Sequence, residues 1–189
     1  MTLDYSSGCV NFRDVGEYIN LIAPGNLLPA GRLFRGGKLT LINSAEDICS
    51  PKTIINLRKS EDPGTFGAKN FWFPISNDNE VYDTGNPEVR KWLNDVIKVF
   101  EDQNLKYPVL IHCNSGKDRT GVVVAALLKV LDISEEIIIE EYLLSEGDVK
   151  EECIRQSLKG TGDQEQYFNR VNIEKVRKNV KGNYSGLSM

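Results

Sequence analysis

The chain has 189 residues, 40% of them apolar and 26% charged, with a net charge of −4 at pH 7. That length is enough to bury one core without disulfide or metal staples, and the acidic balance argues against a nucleic-acid binder with a broad basic face. No stretch approaches the ~20 apolar residues of a membrane span. The start, Met1-Thr2-Leu3-Asp4-Tyr5, lacks the basic patch and apolar run of a secretory signal, and the cysteines at 9, 49, 113 and 153 are too irregular for a disulfide framework, so reduced thiols in the cytoplasm are expected.

In chain order, short apolar runs bounded by turn residues predict strands over 32–35, 53–57, 71–75 and 109–112. A short helix is expected over 44–49. Over 88–103, Val89, Trp92, Leu93, Val96, Ile97 and Phe100 recur at spacings of three and four, which is one face of a helix. The segment 120–131 is apolar nearly all round and reads as an interior helix. Further helices are expected over 134–144, 150–158 and 164–180. Residues 132–152 carry nine acids against the single base Lys150, which reads as a solvated helix face and leaves the rest of the chain net positive. Strands alternating with helices predict one α/β domain over 1–189, a mostly parallel sheet flanked by helices. In such sheets ligands bind beyond the carboxyl ends of the strands.

The strand 109–112 runs straight into His112-Cys113-Asn114-Ser115-Gly116-Lys117-Asp118-Arg119-Thr120-Gly121. Strand, tight loop and helix in that order aim backbone N–H groups at a helix N-terminus, where an anion is held. A cysteine in that cradle is kept as thiolate, the nucleophilic form. Arg119 supplies a planar fork that can grip two phosphate oxygens, which lysine cannot. Gly116 and Gly121 permit the backbone to turn and to approach a phosphate closely. Thr120 fits an N-cap as well as a site hydroxyl. A Walker nucleotide loop is excluded, since Ile111 and Asp118 stand where it needs glycine and Ser or Thr.

This segment resembles the active-site loop of the cysteine-dependent protein tyrosine phosphatase superfamily, His-Cys-x-x-Gly-x-x-Arg-[Ser/Thr]-Gly, and its Gly-Lys-Asp-Arg-Thr wording resembles the atypical and bacterial-type branch. Asn11-Phe12-Arg13-Asp14, Leu33-Phe34-Arg35-Gly36-Gly37 and Ile54-Ile55-Asn56-Leu57-Arg58 look like further segments of that branch, the last with Asn in place of Asp. For the first two, a scaffold role is the default expectation. The resemblance covers residues 9–145 and implies the three-layer fold of those phosphatases.

It further implies that Cys113 forms a cysteinyl-phosphate and that Asn114, Ser115, Gly116, Lys117 and Asp118 line the phosphate loop. Arg119 would bind the transferring group, the Thr120 hydroxyl would help the sulfur leave, and His112 would order the loop. The general acid is expected on a separate loop: Asp78, 35 residues before Cys113, comes first, then Asp83, then Asp118 within the phosphate loop itself. No metal or cofactor is implied. Substrates would be phosphotyrosine or dual-specificity phosphoproteins, or phosphoinositides, with Lys117 as an extra cation at the rim. The competing reading is a catalytically inactive module that recognises phosphorylated partners; the intact Cys113 and Arg119 favour the enzyme. An oxidised Cys113 could pair with Cys49 or Cys153.

Overall fold

The computed structural model describes residues 8–76 and 80–182. Five strands form one sheet: β1 (Arg13–Asp14), β2 (Leu33–Gly36), β3 (Thr53–Asn56), β4 (Lys69–Trp72) and β5 (Val109–His112), in the order β1-β2-β5-β3-β4. Only β1 runs antiparallel; the other pairs are parallel. The three central strands end together, with Gly36, Asn56 and His112 in one row. The chain from each of these ends therefore enters the same crevice, where the site is built.

Alternation along the strands divides the sheet between two cores. Leu33, Ile55, Val109 and Ile111 face a large core under the helices, while Phe34, Ile54 and Leu110 face a smaller one with Leu39, Ile48 and Ala68. Seven α-helices occur among the described residues: α1 (Val15–Ile22), α2 (Pro87–Ile97), α3 (Asp118–Val130), α4 (Glu135–Leu143), α5 (Glu151–Thr161), α6 (Gln164–Tyr167) and α7 (Ile173–Lys181). They contribute their apolar faces to the large core, and the third layer is thin, made of loops and a 3₁₀ turn at Glu46–Ile48. None of these helices is long and apolar enough to cross a membrane.

α3 is buried almost all round, in keeping with its apolar sequence. α2 starts on an Asn86 cap with Pro87 at its first position and tightens into a 3₁₀ turn at Lys98–Glu101, so the expected 88–103 helix keeps its face but changes pitch. The expected 164–180 helix is two pieces. Phe168 turns into the core at the end of α6, and Asn172 restarts the chain by capping Lys175 N–H at 3.0 Å. The third predicted strand lies at Lys69–Trp72, earlier than the expected 71–75, because it pairs with Thr53–Asn56.

The helix α1 was not expected from the sequence, where Gly16 weakens the pattern. Asp14 caps it through Gly16 and Glu17 N–H and also binds Gly31 N–H. Gly16 is required there, because a Cβ would stand 2.5 Å from the Pro29 carbonyl oxygen. Gly16→Ala should therefore destabilise the fold by about 1–3 kcal/mol despite alanine's better helix propensity; urea unfolding at equilibrium measures this.

Candidate active site

The loop 113–119 sits between the carboxyl end of β5 and the first turn of α3. Cys113 is buried, with its amide donating to Gly36 O at 3.4 Å. Gly116 carries φ +68°, and a Cβ there would lie 2.6 Å from the Gly36 carbonyl carbon, so both backbone angle and space demand glycine. Gly121 serves packing: a Cβ would meet the Tyr142 ring at 2.8 Å. Arg119 donates to Leu57 O at 3.0 Å, which ties its guanidinium to the end of β3. Thr120 lies inside the first turn of α3, whose cap is Lys117, so the N-cap reading of Thr120 fails. Its buried hydroxyl has no hydrogen-bond partner among the described residues.

Three loop carbonyls are bound from outside the loop. Asn114 O accepts from Lys38 N at 3.0 Å, Ser115 O from Asn11 Nδ2 at 2.8 Å, and Gly116 O from Arg35 Nη2 at 2.8 Å. Arg35 shares the row of Ile55 and Ile111 on the helix side of the sheet, where it is fully buried and paired with Glu141 at 2.5 Å. Glu141 also takes Arg13 at 2.8 Å, and the Ser145 hydroxyl accepts from both arginines. Glu141 is thus an exception to the solvated acidic face expected over 132–152: it is 1% exposed. Its neighbours Glu140 and Glu146 are exposed, and charge counting alone could not single it out.

The opposite face of the sheet holds a second polar chain. His112 Nε2 meets Asp62 Oδ2 at 2.8 Å, Asp62 Oδ1 meets Arg58 Nη1 at 3.2 Å, and Arg58 Nε donates to Asn114 Oδ1 at 2.9 Å. His112 is fully buried, so its imidazole cannot reach a substrate. Asp62 was not foreseen; it lies in a polar turn that carries no motif. Asn56 uses both halves of its amide, donating to Ser60 O at 3.1 Å and accepting from Arg58 N at 2.8 Å. An aspartate could make only the second bond.

Among the acid candidates, Asp78 lies outside the described residues. Asp83 is exposed beside the α2 cap, and Gly85 is its near neighbour. Asp118, in the first turn of α3, accepts from the Tyr82 hydroxyl at 2.8 Å, and Tyr82 in turn meets the Tyr142 hydroxyl at 2.7 Å. Burial, then the Tyr142 and Asp118 contacts, push the Tyr82 phenol far up, so it stays neutral and can only share its proton. Lys117 donates to Asp148 O at 3.0 Å and stands 3.5 Å from Asp118.

All four cysteines are free. Burial pushes the Cys9 thiol up to about 12, opposed by the Gly37 backbone and reinforced by repulsion from Cys113 and Asp62. Cys9 therefore lies close enough to Cys113 to feel its charge.

A profile of the tyrosine phosphatase family matches residues 5–182. The triple specificity protein phosphatase PtpB of Mycobacterium tuberculosis is 25% identical over 75% of this chain and 68% of its own length. The inositol diphosphatase DSP3 of Arabidopsis thaliana is 31% identical, but the match covers only 45% of each. The crystal structure of the core catalytic domain of the PP-IP phosphatase SIW14 from S. cerevisiae superimposes with a TM-score of 0.55 at 20% identity, covering 78% of this chain and 91% of that one, which shows the shared fold. The chain belongs to the tyrosine phosphatase family. It is a cysteine-dependent phosphatase, a phosphoric monoester hydrolase.

Two outcomes follow from the buried charges. Glu141→Ala leaves two guanidiniums buried without their carboxylate and should cost about 3–5 kcal/mol, read by urea unfolding. Cys9 should also make stability pH-dependent. The unfolded thiol ionises near ~8.5, whereas the folded one holds its proton to about 12, so stability falls as pH rises through this window. In Cys9→Ala that part of the decline disappears from the pH dependence of unfolding.

Proposed function

We propose that Cys113, Arg119 and Asp118 carry the reaction within one phosphatase domain. The Cys113 thiolate attacks phosphorus in line, the S–P bond forms, and the P–O bond to the leaving group breaks. The leaving oxygen takes its proton from the Asp118 carboxyl. Arg119 holds two non-bridging oxygens as negative charge spreads over them. Water then attacks phosphorus, Asp118 recovers a proton from it, and the sulfur departs as thiolate with release of inorganic phosphate. The orphaned Thr120 hydroxyl, buried one residue after Arg119, is suited to steady that departing sulfur. Asn114, Ser115, Gly116 and Lys117 complete the phosphate loop.

The observation that carries the acid assignment is the place of Asp118. It precedes Arg119 directly, its carboxyl is 43% exposed, and Tyr82 fixes it from the facing loop. A carboxyl so held can reach a leaving oxygen without a second loop closing over the site. Asp78 is the rival, and Asp83 the third candidate.

For substrate we favour phosphotyrosine or dual-specificity phosphoproteins, with phosphoinositides or inositol phosphates as the second class. PtpB and DSP3 bear names of both kinds, and Arg58 and Lys117 bring cations beyond Arg119 to the loop. We assign the protein to the reducing cytoplasm, in keeping with its four free thiols. Cys113→Ser should abolish turnover of a small aryl phosphate; if turnover persists, the nucleophile is misassigned. If the wild type shows none while vanadate still binds, the inactive binding module is correct.

Asp118→Asn should lower kcat by on the order of 10²–10⁴ and flatten the fall of kcat at high pH, with Asp78→Asn near wild type. The reverse pattern would move the acid to Asp78. A panel of phosphotyrosine peptides, phosphoserine peptides, phosphoinositides and inositol polyphosphates ranks the substrate classes by kcat/KM.

A further inference from the structure

The peptide bond is planar and trans, so its C=O and N–H point in opposite directions. Fixing a carbonyl therefore fixes where the next residue's N–H points. In the phosphate loop three consecutive peptide units are fixed in this way: 114–115 by Lys38 N, 115–116 by Asn11 Nδ2 and 116–117 by Arg35 Nη2. Each carbonyl is drawn away from the loop. The N–H groups of Ser115, Gly116 and Lys117 are left facing its concave side, and none of the three donates to another backbone group among the described residues. The left-handed Gly116 between them completes an anion nest.

All three anchors come from two short segments, Asn11-Phe12-Arg13 and Arg35-Gly36-Gly37-Lys38. Neither carries a group with a role in bond breaking. We infer that Asn11 and Arg35 are positioning residues for phosphoryl transfer, turning the Gly116 and Lys117 amides toward the phosphate. Arg13 and Glu141 act one step further back by holding Arg35. The two segments are then part of the catalytic apparatus and not only scaffold. This rests on the reading of the loop as the phosphate site.

Asn11 offers the sharper test because its two halves do different jobs. Its Oδ1 accepts from Glu146 N at 2.7 Å, while Nδ2 donates to Ser115 O. Its φ of +58° also suits Asn and Asp better than other side chains with a Cβ. Asn11→Asp keeps the size, the backbone preference and the bond from Glu146 N; it removes the Nδ2 donor to Ser115 O, and with it a longer bond to Glu146 O at 3.4 Å, and adds one negative charge, so the loss of the Gly116 amide response is its deciding readout. With that carbonyl released, the Gly116 amide is free to swing out of the nest.

The experiment compares wild type and Asn11→Asp by aryl phosphate kinetics, vanadate inhibition, and amide nitrogen–proton spectra titrated with vanadate. In the wild type, vanadate should move the Ser115, Gly116 and Lys117 amide signals. In Asn11→Asp the Gly116 response should be lost, kcat should fall by on the order of 10²-fold, and vanadate should bind more weakly. Arg35→Lys, which keeps a cation for Glu141 but not the second N–H fork, should show the same pattern centred on Lys117.

A folded Asn11→Asp enzyme with wild-type kcat, vanadate inhibition and Gly116 amide response overturns the inference. So does a wild-type Gly116 amide that ignores vanadate, a result that decides the matter even where a variant fails to fold. If wild-type turnover proves independent of Cys113 while the three amides still respond, the nest stands and the nucleophile assignment fails.

Discussion

One buried carboxylate joins the helical layer to the loop 113–119. Glu141 on α4 lies between Arg13 and Arg35, and Arg35 reaches from there to Gly116 O. Taking these charges out of water costs several kcal/mol per ion, which the pairing offsets only through close geometry and full hydrogen bonding. The geometry is close and most donors are used: each arginine also finds the Ser145 hydroxyl and Arg13 the Glu141 carbonyl, while Arg35 Nε has no partner among the described residues. Two cations face one anion, so the cluster keeps an excess positive charge beneath the loop. Burial and the neighbouring Arg35 lower the Arg13 guanidinium to about 10, still far above neutral pH, so the excess persists where the enzyme works. A thiolate and a phosphate dianion both gain from it, the more so because the surroundings are dry.

The two faces of the sheet divide the work. On the helix side the Arg35–Glu141 pair acts on the middle of the loop. On the other side His112, Asp62 and Arg58 act on its entrance through the Asn114 amide. Gly36 lies at the hinge of both: its carbonyl takes the Cys113 amide, its bare Cα admits the close approach of Cys9, and the bare Cα of Gly116 lets that residue lie against the Gly36 backbone. Cys113 is thus held by the sheet itself, on elements that are buried and regular.

Much of this was legible in the letters. The phosphate loop announced itself because chemistry restricts it position by position: a thiol, a glycine with a left-handed backbone, a guanidinium. The central strands and α3 were legible because burial on every side leaves unbroken apolar runs. What escaped depends on distant partners. Glu141 reads as one more acid in an acidic run, and only the meeting of α4 with β2 makes it a buried counter-ion. Asp62 sits in a turn of ordinary composition until His112 arrives from 50 residues away. The helix α1 was hidden by Gly16, whose cost in propensity is overridden by its contact with Pro29. The split between α6 and α7 followed from Phe168 being wanted in the core, a demand that no local periodicity expresses.

The anchors of the loop are remote in sequence: Asn11 and Ser115 are 104 residues apart, Arg35 and Gly116 81, and Arg13 and Glu141 128. Closing such separations is entropically slow and happens once the chain between them has collapsed. A half-folded chain can own the whole signature Cys113-to-Arg119 stretch and still lack inward-facing amides. The Cys113 sulfur would then stand in a loop whose backbone is not yet set. The shape of the loop is consequently a product of the whole assembly and not of the residues that spell it.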